Sequence, residues 1–177
     1  MNVPTVLILA SGRGTRFIAS GGQGNKLQAR LGSSTVLQHT LAAVQASGLP
    51  WHLEDSGQPG MGDSIAAAVR ATSSAAGWLI LPGDLPLVQS ATLLAVAAAL
   101  QQHAVVVPVA QGQRGHPVGF ASACGPALQA LHGAGGAAPV VAAYGAFELP
   151  VDDIGCITDI DTVAALQAAA RLLANEN

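Results

Sequence analysis

The stretch VLILASGRGTRF, Val6 to Phe17, decides how the rest of the chain is read. Val6-Leu7-Ile8 is a continuous apolar run, as expected of a strand buried on both faces. Immediately after it, two glycines, a serine, a threonine and two arginines occupy Ser11 to Arg16. Glycines let backbone N–H groups come close to an anion, and arginines add forked, permanently charged donors. The pattern is not a dinucleotide fingerprint, because Phe17 stands where the third glycine belongs. It is not a Walker A loop either, since no Gly-Lys-Ser/Thr follows. Gly12 and Gly14 alone make an ordinary strand-to-helix turn. Joined by Arg13, Arg16 and Lys26, the one lysine of the chain, they predict a phosphate site.

Working outward, the composition sets the bounds. A chain of 177 residues, 50% hydrophobic and 10% charged, predicts a single domain over residues 1–177 with a sizeable core. A net charge of −3 with seven Lys plus Arg excludes a nucleic-acid partner. No apolar window reaches the length of a membrane span, and the N-terminal run lacks a basic leader and reads as strand one. Cys124 and Cys156 lie far apart without a C-x-x-C pattern, which predicts free thiols in a reducing cytoplasm and no zinc.

Periodicity alternates between strand and helix. Strands are expected at 4–10, 51–54, 78–81, 104–109, 116–122 and 146–151, with 116–122 placed at a sheet edge by Pro117. Helices are expected at 34–47 through Leu37, Leu41 and Val44, and beyond 60 through Met61, Ile65 and Val69. Two more are capped by Ser90 and Thr162, and others lie near 125–132 and 138–144. This is an α/β chain, a three-layer sandwich with a mostly parallel, Rossmann-like sheet. Such sheets bind ligands at the carboxyl ends of their strands, where SGRGTR, PGDLP, QGQRGHP and DIDT all fall.

Asp84 just past a strand end suits Mg²⁺, which takes one or two carboxylates with phosphate oxygens and water. As Pro-Gly-Asp it is equally turn chemistry. Asp159 and Asp161 point the same way if extended, and Asp161 also suits a helix start. Together, Asp84 and Asp161 opposite a cationic glycine loop read as metal ligands facing a triphosphate, with Asp159 in support. Arg114 and His116 stand at a strand start within reach of a substrate. His39, His52, His103 and His132 show no ligand spacing and read as structural.

Taken in order, LASGRGTRF, NKL, GMGDSI, GDLP, RGHPVGF and DIDT resemble the motifs of MobA-like nucleotidyltransferases, most of all the molybdenum cofactor cytidylyltransferases. The resemblance spans residues 6 to 162. It implies the nucleotide-diphospho-sugar transferase-like fold and a reaction in which CTP (or GTP) and a molybdopterin-type phosphate give a dinucleotide and pyrophosphate. Carried over by position, Ala10, Ser11, Gly12, Arg13, Gly14 and Arg16 would hold the nucleotide, and Lys26 would neutralise the α-phosphate. Arg13, Arg16 and Lys26 are the implied catalytic cations. Asp84 and Asp161 would hold Mg²⁺. Gly60, Gly62 and Ser64 would line the nucleotide pocket, and Arg114 and His116 would face the acceptor. A receiving molybdenum enzyme is the implied further partner, in the cytoplasm. Residues 48–59 are fewer than the family's, so a sheet one strand–helix unit short is expected, and a binding module without chemistry is the alternative, as is transfer to a sugar phosphate.

Overall fold

A computed structural model describes residues 3–175. In chain order its elements are β1 (Thr5–Leu9), α1 (Thr15–Ala19), β2 (Arg30–Leu31), β3 (Ser34–Thr35), α2 (Val36–Ser47), β4 (Trp51–Glu54), α3 (Met61–Ala71) and β5 (Gly77–Pro82). They continue with α4 (Ser90–Ala99), β6 (Val105–Ala110), β7 (Gln113–Arg114), β8 (Val118–Ala121), α5 (Gly125–Gln129), α6 (Ala138–Tyr144), β9 (Phe147–Pro150) and α7 (Val163–Asn175). Seven strands form one sheet in the order β4-β1-β5-β8-β6-β7, with β9 also on β6. β4, β1 and β5 run parallel, as do β6 and β9, while β8 is antiparallel to both neighbours.

The alternation within each strand explains the three layers. Val6 and Ile8 of β1, Leu79 and Leu81 of β5 and Val106 of β6 pack with Val44, Leu93 and Val96 of α2 and α4. Leu7, Trp78, Ile80, Val105 and Val107 face the other way, onto Ile65 and Val69 of α3, Leu128 of α5 and Val140 of α6. A third cluster joins Phe17, Leu31 and Val36 to Ile160 and Ala169, and so ties α7 to the region after β1.

Local chemistry marks the boundaries. Thr35 Oγ1 accepts from Gln38 N at 3.2 Å and Gln38 Oε1 accepts from Thr35 N at 2.8 Å, a capping box that starts α2. Gly48 ends it at φ 70°, in the left-handed region where glycine is favoured. The expected strand at 51–54 is present as β4, the edge strand beside β1, and leads within six residues to α3.

Two expectations change. β8 is an interior strand, paired to both β5 and β6, and not an edge. Pro117 precedes its first paired residue, Val118, so the missing N–H removes nothing from the ladder. Ser90 does not cap α4. The cap position is Gln89, and the cap comes from Asp153, which is 2% exposed. Its Oδ2 accepts from Gln89 N at 3.0 Å and Thr92 Oγ1 at 2.6 Å, and its Oδ1 accepts from Gly155 N at 2.9 Å.

Asp153→Ala strands those buried donors and is expected to cost about 2 kcal/mol or more in urea unfolding; a loss under about 0.5 kcal/mol would remove the capping role. Both cysteines are buried. Burial, then the charge of Asp153, pushes the Cys156 thiol up to about 11, and burial raises that of Cys124. Neither is expected to react with a disulfide reagent at pH 8 until the chain is unfolded, when both should.

Candidate nucleotide and metal site

Because β4, β1 and β5 are parallel neighbours, their carboxyl ends open side by side. Ala10 N donates to Glu54 O at 2.9 Å and Gly83 N to Leu9 O at 2.9 Å, which carries the pairing one step beyond the strands. The loops that follow surround a cavity of about 320 Å³. Ser11, Gly12, Arg13 and Lys26 line one side, Gly83 and Asp84 another, and Gln58 to Met61 with Ser64 a third.

At its base Lys26 Nζ donates to Asp84 Oδ2 at 2.6 Å and to Asp161 Oδ1 at 2.8 Å. Arg16 reaches the other oxygen of Asp161 at 2.8 Å. Asp84, Asp159 and Asp161 bring ligand oxygens within 4.8 Å of one another. Desolvation favours the neutral form of Lys26, but the charges and hydrogen bonds of Asp84 and Asp161 prevail and raise it. Desolvation likewise opposes ionisation of Asp161, yet Lys26, Asp159 and Arg16 hold it below the usual carboxylate value. Desolvation, followed by Asp161 and Asp84, raises Asp159. Three carboxylates facing two cations retain a negative balance, and an all-oxygen donor set suits a hard divalent cation.

Of the expected residues, Ser11, Gly60 and Ser64 line the cavity, whereas Ala10, Gly14, Arg16 and Gly62 do not. Ala10 and Ser11 are fastened to β4, Ser11 Oγ donating to Glu54 O at 3.3 Å. Gly14 is the cap of α1 at φ 61°, and a Cβ there would sit 3.5 Å from Lys26 Cγ. Arg16 turns to Asp161 with its side chain largely exposed. Gly62 is buried against the 132–133 backbone, donating its N–H to Gly133 O at 2.8 Å, and a Cβ on it would meet His132 O at 2.7 Å. Gly60 is equally crowded by Gly133, while Ser64 Oγ donates to Gly60 O at 3.2 Å. The glycines of GMGDS thus let one loop lie on another.

A second cavity of about 570 Å³ shares Leu9, Met61 and Pro82 with the first. Its walls are mainly apolar, from Ile80, Val107, Val118 and Phe120 to Val141 of α6. Arg114 and His116 line it. Arg114 is paired with Glu148 at 2.7 Å. His116 N donates to Cys156 O at 2.9 Å, and its Nδ1 is shielded from solvent without a hydrogen-bond partner. Burial lowers the imidazole pKa against the pull of Asp84 and the Ile80 carbonyl. The other histidines act locally: His39 Nε2 lies 2.7 Å from Leu31 O, and His103 stacks on Phe147 at 3.8 Å. Gln58 carries no motif and was outside the expected site; a polar side chain just ahead of the GMGDS glycines is its only sequence signal.

The depressed Asp161 stabilises the fold above its ordinary pKa, and this is lost as pH falls through its folded value. The raised Lys26 contributes below its own ordinary pKa, and this is lost as pH rises through its folded value. Lys26→Met is therefore expected to move the Asp161 carboxyl upward in a ¹³C titration. An unmoved carboxyl would show that the ammonium does not hold it.

Among the described residues, no helix is long and apolar enough to cross a membrane. No curated protein matches the chain. Solved structures do. The Rv0371c protein of Mycobacterium tuberculosis superposes with a TM-score of 0.81 at 22% identity, over 96% of this chain and 98% of that one; it has also been solved in complex with manganese. A nucleotidyl transferase of Methanothermobacter superposes at 0.82 with 17% identity over 100% of both chains. Molybdopterin-guanine dinucleotide biosynthesis protein A of Archaeoglobus fulgidus gives 0.71 and 15%, over 97% and 99%. These likenesses establish the nucleotidyltransferase-like α/β fold. The sequence match is to one family over residues 42–148, more than half of the chain, and with the cavity, the glycine loop and the Lys26 constellation around it the chain belongs to the MobA-like NTP transferase domains.

Proposed function

We propose that the protein transfers a nucleoside monophosphate, CMP from CTP, to the phosphate of a molybdopterin-type cofactor and releases pyrophosphate. The single observation that carries this reading is the position of Lys26. Its ammonium meets Asp84 and Asp161 at the base of one cavity, beside the wall shared with a second. A donor nucleotide in the first cavity would direct its phosphates toward Arg13 and Lys26. An acceptor in the second would bring its phosphate across Leu9 and Pro82.

The acceptor's phosphate oxygen forms a bond to the α-phosphorus, the bond from that phosphorus to the bridging oxygen breaks, and the electron pair leaves on pyrophosphate. A phosphate monoester is already a charged nucleophile near neutral pH, so no base is needed. What the chain supplies is alignment and positive charge where negative charge gathers. Lys26 serves this at the α-phosphate and Arg13 at the phosphates that leave, with Arg16 fixing Asp161. Asp84 and Asp161, with Asp159 beside them, would hold Mg²⁺, which supplies charge neutralisation and alignment of phosphate oxygens. The apolar walls around Ile80, Val107, Val118 and Phe120 favour an acceptor with a flat ring system over a sugar phosphate rich in hydroxyls. Retention of Lys26, Asp84 and Asp161 in one constellation favours an enzyme over a binding module. The reaction is assigned to the cytoplasm, with a molybdenum enzyme as the recipient of the product.

The test is Mg²⁺-dependent pyrophosphate release from CTP with molybdopterin. Asp84→Asn is expected to lower turnover about 10²-fold or more with an unchanged melting temperature. Ser11, in place of a glycine, leaves less room for a purine, so kcat/KM for CTP should exceed that for GTP by about ten- to a few-hundred-fold. Equal values would overturn the cytidylyl assignment, and absence of pyrophosphate release would overturn the transfer itself.

A further inference from the structure

We infer that Gln58 reads the base of the bound nucleotide, that Glu54 and Ser56 fix the direction of its amide, and that it selects a base carrying an exocyclic amine. This rests on the nucleotide reading of the first cavity and adds to it a residue that decides specificity.

The first cavity has two chemically different ends. Arg13, Lys26 and Asp84 make one end charged, whereas Gln58, Pro59, Gly60 and Ser64 make the other polar but neutral. Phosphates belong at the first end and a neutral heterocycle at the second. Among the neutral side chains there, Gln58 has the longest reach and carries both a donor and an acceptor.

Its orientation follows from a chain of hydrogen bonds that starts in the core. Glu54 ends β4 and is 6% exposed. Its Oε1 accepts from Ser56 N at 3.1 Å and also from Ser56 Oγ. An oxygen that already takes a backbone N–H is an acceptor, so the Ser56 hydroxyl hydrogen is committed to it. Only lone pairs then remain on Ser56 Oγ. Gln58 lies 3.1 Å away, and the group it turns to Ser56 must be its NH₂, through Nε2. An oxygen there would face an oxygen with no hydrogen between them. Among the described residues no protein group donates to Gln58 Oε1, so with its NH₂ held at Ser56 the carbonyl is left as an acceptor beside the cavity that Gln58 lines.

A carbonyl oxygen accepts from an amine and repels another carbonyl. Cytosine presents an amine where uracil, on the same ring, presents an oxygen. The two bases have almost the same size, so steric exclusion cannot separate them and hydrogen-bond direction must. Ser56 and Glu54 touch no nucleotide in this scheme and act as positioning residues. The backbone carbonyl of Glu54 also receives Ser11 Oγ, which ties the loop carrying Gln58 to the glycine turn after β1.

The experiment is calorimetric binding of CTP and UTP with Mg²⁺ to the full chain, with no acceptor present. The wild type is expected to bind CTP about tenfold more tightly than UTP, the scale of one directed hydrogen bond. Gln58→Met removes the amide and keeps the length, and should bring the two affinities within about twofold, by weakening CTP. Ser56→Ala leaves Gln58 in place but frees its amide to turn, and should erase the preference without lowering the melting temperature. A merely structural Ser56 would instead weaken both nucleotides alike and preserve their ratio, which overturns the inference. So does a wild-type ratio near one, or a ratio that survives Gln58→Met. Pyrophosphate release is measured separately. A preserved binding ratio without release removes the transfer reading and leaves Gln58 as a base reader; release without a ratio does the reverse; and failure to bind either nucleotide overturns both.

Discussion

The ammonium of Lys26 holds together three segments that share no secondary structure. It comes from the single-turn 3₁₀ helix Lys26–Gln28, which Asn25 starts by accepting the Leu27 N–H at 2.9 Å. Its partners stand 58 and 135 residues further along the chain. Without that charge, Asp84, Asp159 and Asp161 would meet in a partly desolvated place where like charges repel strongly. Removing Lys26 would leave three carboxylates facing only Arg16, so its contacts are an assembly constraint rather than surplus stability. The same charge that lets the carboxylates approach is the one a triphosphate would draw upon.

Backbone packing provides the second constraint. Gly115 has no room for a side chain because the carbonyl of Cys156 lies against it, and Gly155 is similarly closed by the carbonyl of Leu87. These approaches bring the segment before β8 and the turn Ile154–Ile157 onto the sheet, which in turn presents Asp159 and Asp161 beside β5. Glycine-rich stretches in this chain thus serve two ends. Gly12 faces open space and lines the cavity, whereas Gly62 is occupied by its neighbour's backbone.

Much of this was legible in the sequence because the physics behind it is local. Val6 to Ile8 and Trp78 to Leu81 announce doubly covered strands by their unbroken hydrophobicity, and Thr162 announces a helix start. That Asp84 and Asp161 face the cationic loop followed from their places at strand ends, and the place of Lys26 beside them from the ordered motifs. What escaped depends on partners remote in sequence. Pro117 looked like an edge residue because its exclusion from the β8 ladder is visible only in the register. Ser90 looked like a cap, but the buried carboxylate of Asp153 takes that role. Gly62 looked like part of the pocket because the loop that covers it lies 70 residues later, and Gln58 carries no motif at all.

The placement of Asp161 just ahead of α7 has a consequence for how the molecule loses its competence. α7 buries only Ala169 fully, and its cluster is the smallest of the three. Segments with few buried apolar contacts open at lower free energy than the sheet they lean on. Peeling away of the final helix would carry Asp161 from Lys26 while β1, β5 and β6 stayed intact. The constellation is therefore a gauge of whether the chain is closed end to end, and a molecule that is folded by every spectroscopic measure of its sheet can still be one helix short of a working site.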